Sequence, residues 1–141
     1  MSHTPDAGFD PLLLDLFKVE LENHTRVLEK GLVQAEEHQA PERIEPLMRA
    51  AHSIKGAARI VGLTQAVSLA HAMEDLLAAV QKGTRVLTGD HVDLLLKGND
   101  QYAAIARLEA KAIPAWLAER EAVFDRMARD IRATLAEPPG P

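Results

Sequence analysis

A histidine, a lysine and a glycine lie close together in the stretch Ala51-His52-Ser53-Ile54-Lys55-Gly56. An imidazole is a nucleophile that can attack phosphorus, and a nearby ammonium can pair with phosphoryl oxygens. On a helix, Lys55 lies one turn from His52 and Gly56 lies four residues from it, so the three share a side. A mid-helix glycine costs about 1 kcal/mol relative to alanine, which indicates that a large group needs the space. We predict that His52 accepts a phosphoryl group, that Lys55 pairs with its oxygens, and that Gly56 keeps the approach open.

The same stretch carries an apolar face that would hold it against a core. The members of this face recur at steps of four and three residues: Leu47, Ala51, Ile54, Ala58 and Val61. Such spacing is typical of one side of an amphipathic helix. His52 falls on the other side and is therefore expected to face solvent. Arg59 extends the positive side of the helix, where we expect it to meet an acidic surface of a partner.

A second pair of polar residues follows on the next predicted helix. His71 and Glu74 are three residues apart, which makes them neighbours on the helix surface. If the two helices are antiparallel neighbours, the pair lies across from His52. A carboxylate that accepts a hydrogen bond from one ring nitrogen fixes the tautomer and leaves the other nitrogen free and more basic. We expect Glu74 to orient His52 in this way, and His71 to hold Glu74 or to bond His52 itself.

The hydrophobic periodicity predicts an all-α fold with five helices. The first helix is predicted to run from Asp10-Pro11 to about Glu37, and the second to begin between Glu42 and Glu45 and end at Gly62. The third is predicted from Thr64 to near Gly83, the fourth from Thr88 or Asp90 to about Ala110, and the fifth from Pro114 to Glu137. Pro46 is tolerated only near a helix start, which sets where the second helix begins. Because the turn at Leu63 is very short, the second and third helices should pack antiparallel. We predict an antiparallel four-helix bundle with an additional fifth C-terminal helix.

The pattern also assigns residues to the core and to the surface. On the first and fifth helices the predicted apolar faces consist of Leu13, Leu16, Phe17, Leu21, Val27, Leu28 and Leu32, and of Leu117, Val123, Phe124, Met127, Ile131 and Leu135. The histidines predicted to be solvated surface residues are His3, His24, His38 and His91. Trp116 and Phe124 are interpreted as packing residues. Residues 10–137 form one predicted domain, between a disordered segment at 1–9 and the start of a linker at 138–141.

The composition excludes several classes of function. The chain has 141 residues, is 47% hydrophobic but only 4% aromatic, and alternates apolar and polar residues nowhere over the length of a strand. Its net charge is −5 and it has no run of Lys and Arg, so we expect no nucleic-acid partner. Its apolar runs are too short to span a bilayer. It has no cysteine and therefore no disulfide, which is consistent with a cytoplasmic protein. We also expect the domain to be monomeric and not to bind membranes.

The two polar motifs carry a resemblance to a known family. Ala51-His52-Ser53-Ile54-Lys55-Gly56 and His71-Ala72-Met73-Glu74-Asp75-Leu76-Leu77 are similar to the motifs of the histidine-containing phosphotransfer (HPt) domain of chemotaxis-type, CheA-like histidine kinases. The resemblance covers residues 10–110, with both motifs in the expected order on successive helices. The continuation Ala57-Ala58-Arg59-Ile60-Val61 resembles the Wsp-type branch, in which a chemosensory hybrid kinase phosphorylates a diguanylate-cyclase regulator.

The resemblance implies a phosphorelay role. His52 would accept the γ-phosphoryl group of ATP from a separate kinase catalytic domain and pass it to an aspartate on a response-regulator receiver domain, with Lys55, His71 and Glu74 in support. The chain has no Gly-rich nucleotide loop, so we expect a substrate and carrier without a cofactor of its own. ATP and Mg²⁺ would be used by the kinase domain of a parent histidine kinase. A free-standing HPt shuttle protein is the alternative within this class.

Two other classes of function compete with this interpretation. A carboxylate-bridged metal site in a helix bundle requires two Glu-x-x-His units and further inward-facing glutamates. This chain has one such unit, in reversed order, and on the predicted solvent side of its helix. A purely structural or dimerising bundle would explain the apolar stripes but leaves Gly56 without a purpose.

Overall fold

The computed structural model describes residues 8–137, and within this range the chain is helical and contains no strand. The helices are α1 (Pro11–Ala35), α2 (Pro41–Val61), α3 (Thr64–Gln81), α4 (Gly89–Ala106), α5 (Ile113–Glu119) and α6 (Glu121–Ala136), with a 3₁₀ turn at Ala110–Ala112. The all-α prediction is confirmed. The predicted linker and the first seven residues of the predicted disordered segment lie outside the described residues. Phe9, also assigned to that segment, is half-buried against the core.

The helices pack around one continuous core. Helix α1 contacts α2 on one side and α4 on the other, and α3 packs against α2. Helices α3 and α4 touch each other little, because α6 lies against both of them. The largest fully buried side chains include Phe17, Leu21, Ile54, Leu69, Met73, Tyr102 and Phe124. The predicted four-helix bundle is therefore confirmed, and the additional C-terminal segment fills the space between its third and fourth helices.

The junction between α2 and α3 has the predicted form. Gly62 adopts the left-handed conformation with φ 76°, and its amide donates to the carbonyl of Arg59 at 3.1 Å. Leu63, which is buried, follows at once, and α3 begins at Thr64. Because only two residues join the helices, α2 and α3 run back along each other and form the pair on which the polar motifs lie.

The start of α2 was predicted wrongly. The helix begins at Pro41, earlier than the predicted start between Glu42 and Glu45. A proline at the first helical position loses no intrahelical hydrogen bond, which explains why Pro41 is a good start. Pro46 consequently lies inside the helix, where it cannot donate to the carbonyl of Glu42. The packing of Ile44 and Leu47, both buried, holds the first turns of the helix in place.

The fifth predicted helix is in fact two helices. The break falls at Arg120, whose φ of −111° and ψ of 18° end α5 before α6 begins. The guanidinium of Arg120 donates to the carbonyl of Trp116 at 3.1 Å and lies over its ring, 4.1 Å from the centroid. The break lets Trp116 and Tyr102 both pack edge-on against Phe124, with ring centroids 6.2 Å and 6.1 Å away. The packing roles of Trp116 and Phe124 are confirmed.

Helix α4 corrects the assignment of His91 to the solvated surface. Thr88 is the N-cap, and its hydroxyl accepts a hydrogen bond from the amide of His91 at 3.3 Å. The ring of His91 accepts in return from the amide of Thr88, so the histidine takes the place of glutamate in a capping box. His91 is buried as a result. The helix ends at Ala106, four residues before the predicted end at Ala110.

Some apolar side chains predicted to be in the core are exposed. They are Leu16 and Val27 on α1 and Val123 on α6. On α1 the buried positions form a narrower stripe than the sequence pattern, through Leu14, Phe17, Leu21, Leu28 and Leu32. Within the described range, no helix is both long enough and apolar enough to cross a membrane.

Candidate phosphoacceptor site

The imidazole of His52 lies on the surface of α2 and is held by one carboxylate. Its Nδ1 is 2.5 Å from Oε2 of Glu74, and its side chain is 64% exposed, whereas that of Glu74 is 17% exposed. A carboxylate can only accept, so Nδ1 carries the proton and donates to Glu74. The lone pair then resides on Nε2, for which the described residues provide no hydrogen-bond partner. The predicted exposure and orientation of His52 are thus what the structure shows.

The second oxygen of the same carboxylate is bound to Lys55. Nζ of Lys55 lies 2.6 Å from Oε1 of Glu74, and the lysine side chain is only 13% exposed. Burial raises the pKa of Glu74, but the hydrogen bonds from Lys55 and His52 and their charges outweigh it and hold the pKa below its ordinary value. The carboxylate is therefore an anion with a cation on one oxygen and an imidazole N–H on the other.

The contact of Lys55 with Glu74 was not anticipated. The sequence interpretation predicted only that its ammonium pairs with phosphoryl oxygens. In the structure the ammonium lies against Glu74, where it fixes the carboxylate that in turn orients His52. In this structure the side chain acts on the site through Glu74, because a long lysine stem can lie along the helix pair and bring its charge to a half-buried acid.

His71 is not part of this chain of contacts. Its Nε2 lies 3.5 Å from Oδ2 of Asp75, one turn further along α3, and its side chain is 49% exposed. No hydrogen bond or ion pair joins it to Glu74 or His52 among the described residues. Spacing along one helix correctly made His71 a neighbour of Glu74, but the direction of each side chain separates them.

Gly56 lies beside open space. A Cβ atom built on it meets no heavy atom within 4 Å, so the packing of the bundle does not require a glycine here. The space belongs to a groove of about 450 Å³ between α1 and α2, to which His52 also contributes. Its lining includes the apolar side chains of Leu13, Leu16, Phe17, Ile60 and Val61. We name this feature the apolar groove.

The apolar groove was missed by the sequence analysis. Leu16 is 53% exposed and Ile60 is 71% exposed, which is unusual for large apolar side chains. The sequence did contain a signal for this groove at Ile60, because an isoleucine outside the apolar stripe of α2 indicates an exposed apolar side chain. Leu16 was assigned to the core because it continues the apolar pattern of α1. Only the packing of α1 against α2 shows that both side chains border His52.

Arg59 is exposed, as predicted, and lines a different pocket together with His71. Metal chemistry was the competing interpretation of the polar residues. In residues 8–137 no three His, Cys, Asp or Glu side chains come together in a way that could hold a metal ion.

Known proteins share both sequence and fold with this chain. Residues 12–111 match the family model of the Hpt domain. The chemotaxis protein CheA of Treponema pallidum is 34% identical over 113 residues, which are 79% of this chain and 14% of that protein. CheA of Halobacterium salinarum is 34% identical over 64% of this chain and 14% of its own length. The gliding motility regulatory protein of Myxococcus xanthus is 33% identical over 62% of this chain and 11% of its own.

A solved structure shares the fold. It is the crystal structure of the phosphorylated P1 domain of CheA3 in complex with CheY6 from R. sphaeroides, with a TM-score of 0.69 and 24% identity. The superposition covers 88% of this chain and 98% of that one. The chain therefore has the size of one such domain, and it spans about a seventh of the length of the curated CheA proteins.

Proposed function

This chain belongs to the Hpt domain family, and on that basis we propose that His52 is its phosphoacceptor and Nε2 the nucleophilic atom. The observation that carries the proposal is the contact between Nδ1 of His52 and Glu74 at 2.5 Å on an exposed helix face. It supports a ring with one nitrogen protonated and held, and the other free to react. Spacing in the sequence is consistent with this contact, and the structure gives it a distance.

In the phosphorylation step one P–O bond breaks and one P–N bond forms. The lone pair of Nε2 attacks the γ-phosphorus of ATP, held by a separate kinase catalytic domain, and the bond to the β,γ-bridging oxygen breaks to release ADP. The proton on Nδ1 stays in place, so the ring becomes positively charged. Glu74 is then an anion next to a cation, and it stabilises the charge that develops in the transition state.

The second step delivers the phosphoryl group to a response regulator. A carboxylate oxygen of an aspartate on the receiver domain attacks phosphorus, the P–N bond breaks, and the electron pair returns to Nε2. The same hydrogen bond to Glu74 holds the ring during both steps. Because the ring charge appears in one step and disappears in the other, the site is suited to a carrier that is loaded and unloaded.

Lys55 supports the site as a positioning residue. Its ammonium fixes Oε1 of Glu74, so that Oε2 stays directed at His52. It also adds a positive charge close to the reacting ring, which favours the approach of a phosphoryl group. The functional roles predicted for Lys55, Gly56 and His71 stay predictions at this point, and Gly56 has the geometry expected of a residue that leaves the approach open.

We assign the receiver domain to the apolar groove. The groove is contiguous with His52, and it exposes leucine and isoleucine side chains that a protein partner would cover. The CheA3 P1 domain, which has the same fold, was crystallised with CheY6. ATP and Mg²⁺ belong, in this proposal, to the kinase catalytic domain and not to this chain. The Wsp-type placement stays a prediction.

The experiment is labelling with ATP and a CheA-type catalytic domain. We expect an acid-labile, base-stable phosphate on the wild-type chain, none on His52→Gln, and none when the catalytic domain is omitted. Labelling of His52→Gln at the wild-type level would refute the assignment of His52. Labelling by ATP and Mg²⁺ alone would refute the carrier role. A purely structural bundle would take no phosphate under any of these conditions.

A further inference from the structure

A second pocket, on the α3 side of the site, is lined with two arginines and a histidine. It measures about 410 Å³ and lies where α2 ends, α3 begins and α6 passes across α3. Arg59 from α2, His71 from α3 and Arg132 from α6 converge on it, and Thr64 and Ser68 add hydroxyl groups. Its lining contains no acidic side chain among the described residues. We name it the basic pocket, and it stands out on a chain with a net charge of −5.

The two arginines of the basic pocket are not neutralised by acids. Arg132 donates through Nη2 to the backbone carbonyl of Ser68 at 3.3 Å, which holds the guanidinium against α3. Within residues 8–137 neither Arg59 nor Arg132 forms an ion pair. His71 does face an acid, Asp75, at 3.5 Å. The two arginines therefore supply the positive charge of the pocket.

Another arginine pair on this protein shows the usual arrangement. Arg26 and Arg107 line a pocket between α1 and α4 that also contains Glu22 and Glu29. Charges of both signs alternate there, as on an ordinary solvated surface. The contrast makes the basic pocket a specific feature and not a consequence of arginine content.

We propose that the basic pocket docks an acidic surface of the kinase catalytic domain that phosphorylates His52, an inference that rests on the proposed function. Arg59 follows His52 by seven residues on one helix, which is about 10 Å along the axis. A domain seated on the pocket therefore reaches the imidazole. A patch of cations on an acidic protein also steers an acidic surface toward that patch.

A protein surface fits the basic pocket better than a small anion does. Arg59 and Arg132 are exposed, so a single phosphate would stay largely hydrated between them and would bind weakly. An acidic protein surface can meet both guanidinium groups at once and cover the half-buried Val67 on the floor of the pocket. Several exposed ion pairs made together steer association even when each contributes little.

The phosphodonor domain is favoured over the receiver because the receiver already has a surface of different chemistry. The apolar groove borders α1 and the basic pocket borders α3 and α6, with α2 and His52 between them. Two surfaces of different chemistry, one on each side of His52, allow the domain to bind two successive partners selectively. The donor would then bind by charge and the receiver mainly by apolar contact.

The test is the double charge reversal Arg59→Glu with Arg132→Glu, assayed with a CheA-type catalytic domain from the same organism, ATP and Mg²⁺. We expect kcat/KM for phosphorylation at low salt to fall about tenfold or more. We also expect the decrease of the wild-type rate with rising salt to disappear. The matched control is Arg26→Glu with Arg107→Glu, which changes the net charge equally and should leave kcat/KM near the wild-type value.

Two further measurements separate docking from chemistry. Phosphoramidate is a small phosphodonor that needs no docking, and it should label His52 equally in the wild type and in both double variants. Transfer from the labelled domain to a receiver should also be unchanged. The neutral double variant Arg59→Gln with Arg132→Gln, with circular dichroism to check folding, should show a smaller loss in the same direction.

Three outcomes would overturn the inference. They are an unchanged kcat/KM and salt dependence in the Arg59/Arg132 variant, an equal loss in the control variant, and a loss confined to transfer to the receiver. Failure of the proposed function looks different, because the wild type itself would then take no phosphate on His52 from the catalytic domain.

Discussion

Replacing Glu74 with glutamine tests how His52 is held and activated. The amide keeps the shape of the carboxylate but has no negative charge and only one accepting oxygen. In the structure each carboxylate oxygen has its own partner, with Oε2 2.5 Å from Nδ1 of His52 and Oε1 2.6 Å from Nζ of Lys55. Glutamine can accept from one of them, and its NH₂ group then faces the other donor. The variant therefore removes the negative charge and one of the two contacts from the site, and we expect the helices to stay folded.

The expected size of the effect follows from the positive charge that the ring gains as Nε2 binds phosphorus. A hydrogen bond to a charged group contributes about 1.5–3 kcal/mol. Because His52 is 64% exposed, water screens the interaction and the lower end of the range applies. A loss of about 1.4 kcal/mol in the transition state slows a reaction about tenfold. We expect Glu74→Gln to lower the second-order rate of His52 phosphorylation by about this factor.

The assay is phosphoramidate labelling of purified domain, followed over time, because it measures the reactivity of His52 without a docking partner. The matched control is Asp75→Asn, the same chemical change at the next residue, which contacts His71 and not His52. The control should react at the wild-type rate. An unchanged rate for Glu74→Gln, with circular dichroism showing a folded bundle, would refute the role of the carboxylate. An equal loss in Asp75→Asn would show that charge near the site matters but that the contact at 2.5 Å does not.

Three further predictions concern pH and stability. Burial raises the pKa of Glu74, but its hydrogen bonds from Lys55 and His52 hold it below the ordinary value. The stability that Glu74 contributes is therefore present above the unfolded-state pKa and is lost as pH falls through the lower folded-state pKa. In an acid denaturation series, the unfolding free energies of wild type and Glu74→Gln should converge. Gly56→Ala should stabilise the domain by about 1 kcal/mol in urea denaturation, since the new Cβ meets nothing within 4 Å and alanine is the better helix former. A destabilised variant would contradict the open space at this position. Leu76→Ala should cost roughly 2–5 kcal/mol, because Leu76 is fully buried between α3 and its neighbours, and a loss under 1 kcal/mol would show that the core relaxes around it.

Much of the helical architecture was predictable because it follows from local rules. Gly62 ends α2 in the left-handed conformation, and Asp10 and Pro11 begin α1 as N-cap and first helical residue. The errors arose where packing overrides a local preference. Pro46 lies inside α2 although proline disfavours that position, and Arg120 divides the C-terminal segment although its apolar pattern continues.

The candidate site shows the same division. The spacing of His52, Lys55 and Gly56 on one helix and of Glu74 on the next predicted one polar face on a pair of helices. It could not predict that Lys55 binds Glu74 and not solvent, or that His71 lies against Asp75. Spacing determines which residues are neighbours along a helix, whereas side-chain directions depend on the charges and volumes that the opposite helix presents.

The amino-acid sequence by itself determined that His52 would lie on the outer face of an amphipathic helix, because the period of the apolar residues decides which side of a helix is buried. Only the tertiary structure decided what surrounds that imidazole. The carboxylate on one side, the apolar groove on α1 and the basic pocket completed by Arg132 on α6 come from residues far apart in the chain. Such neighbours are brought together by helix packing, and no local pattern encodes the distance between them.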